Sequence, residues 1–208
     1  AYLVPEPTIA QRIVRAKRTL GDAKVPYEVP HGEELAPRLA SVLEVVYLVF
    51  NEGYTATAGG DWIRPDLCQE ALRLDRSLAQ LVPDEPEVHG LQALLELQAS
   101  RMRARTGTDG MPVLLDDQDR RLWDQLLIRR GLAALDRAEA LGAPVGPYVV
   151  QAALAACHAR SRRAEDTDWV RIAELYDVLA DLTANPVVEV NRAVAHGRAF
   201  GPEAGLAV

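Results

Sequence analysis

Val42-Leu43-Glu44-Val45-Val46-Tyr47-Leu48-Val49-Phe50 is the stretch on which the fold class turns. Taken alone, so dense an apolar run suits a buried strand as well as a buried helix. Its surroundings favour the helix. Residues 33–41 already carry a helical pattern, the unit runs for about 20 residues, and Gly53 stands where a helix C-cap is expected. The whole segment is expected to be nearly all buried. Outward from it, helical stretches are predicted over residues 64–82, 86–105, 118–141, 146–162, 167–182 and 185–199. Breaks fall at Pro83/Pro86, Gly107–Pro112, Gly142–Pro147 and Asn185–Pro186. No other segment reads as a strand with two-residue alternation, so the expected class is all-α.

A self-match turns these helices into an architecture. Val150-Gln151-Ala152-Ala153-Leu154-Ala155 aligns with Val190-Asn191-Arg192-Ala193-Val194-Ala195 at an offset of 40, each soon after a proline and each followed by a helix-sized partner. Small residues in mid-helix permit close helix–helix contact. Residues 33–208 are therefore expected to form antiparallel helix pairs stacked in a tetratricopeptide-like array, whose usual repeat is about 34 residues.

Composition bounds the function. The chain has 208 residues, 49% apolar and 25% charged, enough for one medium-sized domain with a short appendage. Cys68 and Cys157 are too few and too far apart for a disulfide framework or a zinc-ligand spacing, so a reducing, cytoplasmic setting is expected. No apolar run approaches the roughly 20 residues of a membrane span, and the N-terminus lacks a signal-peptide layout. The sequence opens on Ala1 inside a motif and stops at Val208 inside a helical pattern, which reads as a piece of a longer protein. The formal charge of −7 is unevenly spread. Residues 1–24 carry five basic and two acidic groups, a net +3, leaving −10 on the remainder. This is the asymmetry of a small basic element that meets a polyanion, joined to an acidic body with another task.

The basic element is Pro5-Glu6-Pro7-Thr8 followed by IAQRIVRAKRTL, a turn and then a helix with Thr8 as expected N-cap and Gly21 as terminator. Ile9, Ile13, Ala16 and Leu20 form one apolar stripe. Gln11, Arg15 and Arg18 lie opposite, with Arg12 and Lys17 flanking. A sharp turn, a capping Thr and an Arg- and Gln-rich helix is the layout of the second half of a helix-turn-helix, whose first turns enter the major groove. Thr8, Gln11, Arg12, Arg15, Lys17 and Arg18 are the candidate DNA contacts. Two prolines and a glycine between Val25 and Gly32 read as a linker, giving segments 1–24, 25–32 and 33–208.

In the acidic body, Asn51-Glu52-Gly53-Tyr54 and Asp116-Asp117-Gln118-Asp119-Arg120, ahead of Trp123, are the polar clusters. Glu52 with Asp116 or Asp117 could form a carboxylate pair for hydrolysis. The simpler reading is a helix end and a helix-capping acidic run. Asp166-Thr167-Asp168-Trp169 likewise reads as an N-cap with an anchoring tryptophan. His31, His89, His158 and His196 are scattered, neighbouring Cys157 and His158 would diverge by about 100° on a helix, and no phosphate loop or nucleophile elbow occurs. No metal, cofactor or catalytic set is expected. A groove for a protein or peptide partner is expected instead, lined or braced by Asn51, Tyr54, Trp123, Trp169 and Asn191.

Tyr2-Leu3-Val4-Pro5-Glu6-Pro7-Thr8-Ile9-x-x-Arg12-Ile13-x-Arg15-Ala16-Lys17-x-x-Leu20 resembles the end of region 4 in bacterial extracytoplasmic-function sigma factors, where Pro-Glu-x-Thr-Val-x-x-Arg-Leu-x-Arg-Ala-Arg is typical. The remainder resembles the tetratricopeptide-like C-terminal extension of one subgroup. The carrying segments are Tyr47–Tyr54, Leu115–Arg120, Gly146-Pro147-Tyr148, Asp166–Trp169 and Pro186–Ala195. The resemblance implies a parent protein that directs RNA polymerase core to promoters and reads the −35 element with region 4. It implies an extension that regulates activity or contacts partners. Region 2 and the first helix of the helix-turn-helix have no counterpart in these residues. A free-standing helical-repeat scaffold is the alternative, and a small hydrolase is a further one.

Overall fold

A computed structural model of the chain describes residues 6–24, 34–55, 63–142 and 145–208. The expected linker at 25–32 and motif residues 2–5 lie outside them. The described helices are α1 Glu6–Asp22, α2 Leu35–Tyr54, α3 Pro65–Leu81, α4 Pro86–Ala99, α5 Gln125–Ala140, α6 Pro147–Arg160, α7 Trp169–Leu182, α8 Pro186–Phe200 and α9 Pro202–Leu206. Short 3-10 turns occur at Met102–Ala104, Leu115–Asp117, Arg120–Leu122 and Ala164–Asp166. Among the described residues there is no strand, only an isolated antiparallel bridge between Thr106 and Pro112. The fold is all-α, and no described helix is long and apolar enough to cross a membrane.

The chain divides into two compact units, Ala1–Val42 and Leu43–Val208. In the first, α1 starts at Glu6, with Pro7 in its first turn, where a missing N–H costs no hydrogen bond. Thr8 therefore lies inside the helix and is not its N-cap. Gly21 is also helical; the chain turns out three residues later, at Lys24, which takes a left-handed φ of 46°.

The second unit is built on α4, which packs against α3, α5 and α6. Val88, Leu91, Ala93, Leu94, Leu95 and Leu97 are all buried, so α4 is apolar around most of its circumference, as a central helix must be. Each leucine so buried contributes about 1.5–3 kcal/mol. From α4 the packing continues in chain order, α6 on α7, α7 on α8 and α8 on α9. Helix α6 joins two cores. Its Ala152 and Ala156 pack with Leu94, Leu97, Trp123 and Leu135, while Val150, Leu154 and Cys157 pack with Ile172, Leu175, Leu179 and Ala195. The two self-matching hexapeptides lie on α6 and α8.

Helix starts follow local chemistry. Asp124 caps α5 by accepting from the amides of Leu126 and Leu127, Asp168 caps α7 at Arg171, and Asn185 caps α8 at Val187. Proline occupies the first turn of α3, α4, α6 and α8. Helix α6 has no cap of its own. Glu87, from α4, accepts from the amides of Tyr148 at 2.9 Å and Val149 at 3.0 Å. A Cβ on Gly146 would fall 2.3 Å from the Glu87 carboxyl carbon, which explains the glycine in Gly146-Pro147-Tyr148.

Several expected boundaries are corrected. The run 42–50 is helical, but Leu43, Val46 and Phe50 are buried while Val45 and Leu48 are 60% and 49% exposed, so one face only enters the core. Gly53 lies in the last turn of α2, one residue before its end at Tyr54, and is not its C-cap. A Cβ there would sit 2.7 Å from the amide nitrogen of Cys68 and 2.8 Å from the carbonyl oxygen of Arg64, so the glycine lets α3 approach. Helix α4 stops at Ala99. Ser100 Oγ donates to the Leu97 carbonyl at 2.6 Å, and the Ser100 carbonyl accepts from the Asp124 amide at 2.9 Å. The helix expected from 118 starts at Gln125, because Asp124 supplies the cap and the preceding residues form 3-10 turns.

Candidate functional site

In the first unit, Gln11, Arg12, Arg15, Lys17 and Arg18 are exposed along α1, and Thr8 is half-buried. Arg18 pairs with Asp22 at 3.7 Å, with both side chains largely in solvent, so the pair holds the arginine only weakly. Ile13 and Leu20 of the expected apolar stripe are 50% and 59% exposed. The helix presents four cations and an open apolar stripe.

In the second unit, a cavity of about 410 Å³ opens between the C-terminal half of α2, α4, α6, α7 and the start of α8. Asn51, Tyr54, Trp123 and Asn191 line it, so four of the five expected groove residues come together. Arg101 lines it as well. Its Nη2 donates to the Tyr54 hydroxyl at 2.7 Å and to Gln98 Oε1; the Tyr54 hydroxyl donates in turn to Gln98 Oε1 at 3.2 Å. The guanidinium carbon stands 5.8 Å from the centroid of the Trp123 ring. Phe50 stacks on Tyr54 at 5.4 Å, and the guanidinium of Arg105 covers the Tyr54 ring at 3.5 Å, which fixes the phenol.

His158, on α6, also lines the cavity. Burial first, and then the charges of Arg101 and Arg120, push its pKa down from 6.5 to about 4, with Asp116 opposing, so the imidazole is neutral at pH 7. Trp169 is not in the cavity. It packs edge-on to His158 at 5.7 Å and lies under the Arg198 guanidinium at 4.9 Å, a brace for the wall.

The acidic run serves structure. Arg120 Nη1 donates to the carbonyls of His158 and Ser161, each at 2.7 Å, closing the C-terminal end of α6, and its guanidinium lies 4.9 Å over Trp123. Asp119 caps the 3-10 turn Arg120–Leu122 at the Arg121 amide and pairs with the Arg121 side chain at 2.8 Å. Gln118 is buried and donates to the Val113 carbonyl at 3.2 Å. Asp116 pairs with Arg198, and Asp117 is exposed. Asp116, Gln118, Asp119 and Arg120 line a second cleft that also takes in residues 159–165. Asp168 is occupied as the α7 cap.

Glu52 faces Arg64 at 3.9 Å while Asp116 faces Arg198, so the two carboxylates considered for hydrolysis answer to different arginines. Cys68 and Cys157 are buried free thiols, both pushed upward by burial, Cys68 to about 11, which keeps them protonated and unreactive at pH 7. Among the described residues, no group of three or more His, Cys, Asp or Glu side chains is placed to hold a metal ion.

Sequence reasoning missed Arg101, Gln98, His158 and Tyr176 in the cavity wall. A polar residue near the end of an otherwise apolar helix was the available signal for Gln98 and Arg101. It was obscured because helix 86–105 was expected to run on past them.

Residues 38–139 match the model of a family of unknown function (DUF6596). An uncharacterized protein of Rhizobium meliloti (strain 1021) is 51% identical over all 208 residues, and the chain spans 49% of that relative's length. No solved structure matches. The matched family segment holds the α2 and α4 walls of the cavity, with Arg101, Arg120 and Trp123, and ends before α6.

Proposed function

We propose that this chain is the C-terminal part of a bacterial extracytoplasmic-function sigma factor, acting in the cytoplasm: α1 reads the −35 promoter element, and the acidic helical unit regulates the factor or contacts its partners. The observation that carries the reading is the N-terminal motif on α1. Of the residues that resemble the end of region 4, those from Glu6 to Leu20 lie on one helix, and Arg12, Arg15, Lys17 and Arg18 are all exposed on it. Guanidinium groups so placed suit phosphates and the O6 and N7 edge of guanine. The open stripe of Ile13 and Leu20 suits packing by the first helix of a helix-turn-helix. The −10 carried by residues 25–208 argues against DNA wrapping the second unit, and its cavity and end-capped helices suit a ligand-responsive or partner-binding module.

Transcription from the cognate promoter by purified polymerase core and the full-length protein tests this directly. Arg15→Ala is expected to weaken promoter use, a base contact being worth about 1–3 kcal/mol of discrimination. Removal of the segment after residue 32 is expected to leave the factor inactive or constitutively active. Full promoter-dependent activity with both changes, or no polymerase binding by the full-length protein, refutes the assignment.

A further inference from the structure

We propose that the cavity between α2, α4, α6, α7 and α8 is a binding site for a carboxylate-bearing ligand with an apolar body, its carboxylate held by Arg101. The proposal goes beyond the transcription reading and does not rest on it.

Charge is the first argument. The chain has 30 acidic residues against 23 lysines and arginines, yet none of the acidic residues among those described lines this cavity. Arg101 is the one formally charged side chain among the described residues that do, His158 being neutral. Its two hydrogen-bond acceptors, the Tyr54 hydroxyl and Gln98 Oε1, are uncharged, and both are reached from Nη2. The Nε and Nη1 donors have no protein acceptor among the described residues. A half-buried guanidinium is stabilised most by a carboxylate, which it grips through two parallel hydrogen bonds. Here no described residue supplies one.

Fixity is the second argument. The Tyr54 and Gln98 acceptors and the Trp123 ring hold the guanidinium in one place, and Tyr54 is itself held between Phe50 and Arg105. Such support on helices is what pre-organises a site. The third argument is shape. Leu94, Leu97, Leu154, Leu179 and Val187 give apolar walls, and 410 Å³ falls within the range of about 300–1,000 Å³ typical of small-ligand pockets. One fixed cation balances a monoanion. Among the described residues no lysine or second arginine lines the cavity, which favours a carboxylate over a phosphate dianion. A free carboxylic acid and the C-terminal residue of a protein partner share this chemistry, and Asn51 and Asn191 at the wall can accept or donate to either.

Calorimetric titration of the purified 208-residue chain tests the site with four probes. These are hexanoate, its uncharged amide, and a hexapeptide ending in leucine with either a free or an amidated C-terminus. Saturable binding of hexanoate or of the free-acid peptide, with a Kd of about 1 mM or tighter, is expected. The matching amide should bind at least about tenfold more weakly. Hexanoate binding alone assigns a free acid, and binding of the free-acid peptide alone assigns a protein C-terminus; either supports the site. Arg101→Gln should reduce binding by about tenfold or more with the circular dichroism spectrum unchanged. Leu154→Trp, which fills the cavity without touching the charge, should abolish it, and it decides the matter together with the acid–amide comparison if Arg101→Gln does not fold. Equal affinity for acid and amide, binding undiminished by Leu154→Trp, or no saturable binding of either acid overturns the proposal. None of these readouts involves polymerase, so failure here and failure of the transcription reading are separate outcomes.

Discussion

Arg120 reaches the main-chain carbonyl of His158 across 38 positions of sequence, donating from Nη1 at 2.7 Å, and so closes the end of α6 from a loop between α4 and α5. The same nitrogen reaches the Ser161 carbonyl at 2.7 Å, and the guanidinium face lies on Trp123. One side chain thus joins an irregular loop, a helix terminus and the back of the cavity.

Replacing Arg120 by glutamine is therefore expected to destabilise the second unit by about 2–4 kcal/mol, since two charge-assisted hydrogen bonds and a cation–π contact are lost. Lysine should rescue only in part, because one ammonium can donate to both carbonyls but lacks the flat guanidinium face that lies on Trp123 and the Nη2 that reaches the Thr167 hydroxyl. Urea denaturation of Arg120→Gln and Arg120→Lys checks this: a glutamine variant as stable as the original sequence would refute the capping role, and a lysine variant as stable as the original would show that the ring contact adds nothing.

Gly53→Ala should destabilise the chain by about 1–3 kcal/mol, the usual cost of overpacking. The new methyl would meet backbone atoms, the Cys68 amide nitrogen and the Arg64 carbonyl oxygen, which no rotamer change can move. In an exposed helix the same change is stabilising by about 1 kcal/mol. The sign of the shift in thermal midpoint separates close approach from ordinary helix propensity.

Trp123 and Trp169 differ in burial, and truncation should rank them. Trp123 is 4% exposed and packs with Leu97, Ile128 and Leu135, so Trp123→Ala should cost about 3–5 kcal/mol. Trp169 is half-buried between His158 and Arg198, so Trp169→Ala should cost less. Parallel thermal melts measure the order, and a Trp169 loss larger than the Trp123 loss would show that the wall depends on the Arg198 stack.

The helices were legible because their punctuation is local. Prolines 65, 86, 147 and 186 and the caps Asp168 and Asn185 mark starts that depend on a few neighbouring residues. Asn51, Tyr54, Trp123 and Asn191 were placed in a groove from segments that stood out in sequence, and they do meet. What could not be read was any position whose meaning lies in another element. Gly53 looks like a terminator until the backbone of Cys68 is beside it. The acidic run looks like a cap for α5 until Asp124 takes that part and Arg120 turns to α6. Arg101 has only a weak local signature, a polar residue just past the end of an apolar helix, and it becomes notable only when α2, α4, α6, α7 and α8 bring neutral groups around it.

The pH dependence of stability turns on two buried groups whose shifts oppose each other. Asp75, on α3, is fully buried; neither carboxyl oxygen has a hydrogen-bond partner among the described residues. Burial and then the neighbouring Glu96 raise its pKa from near 4 to about 8, against the pull of Arg76, which itself holds Glu96 at 2.7 Å. The folded chain thus keeps a proton that the unfolded chain releases near pH 4, and stability from this group is complete below that and lost as pH rises toward 8. His158 has the reverse sense. Its folded pKa of about 4 lies below the unfolded value near 6.5, so its contribution is complete above 6.5 and lost as pH falls toward 4. Between pH 4 and 6.5 the two slopes oppose each other, each at most about 1.4 kcal/mol per pH unit. Above 6.5 the slope of Asp75 continues without that opposition, and Glu87, whose pKa burial raises, contributes in the same sense as Asp75. Urea denaturation of the unaltered chain should show stability falling from pH 6.5 to 8. Asp75→Asn, which keeps the shape and removes the ionisation, should abolish that fall and expose a rise from pH 4 to 6.5 due to His158. An unchanged profile in Asp75→Asn would show that the buried carboxyl is not what titrates.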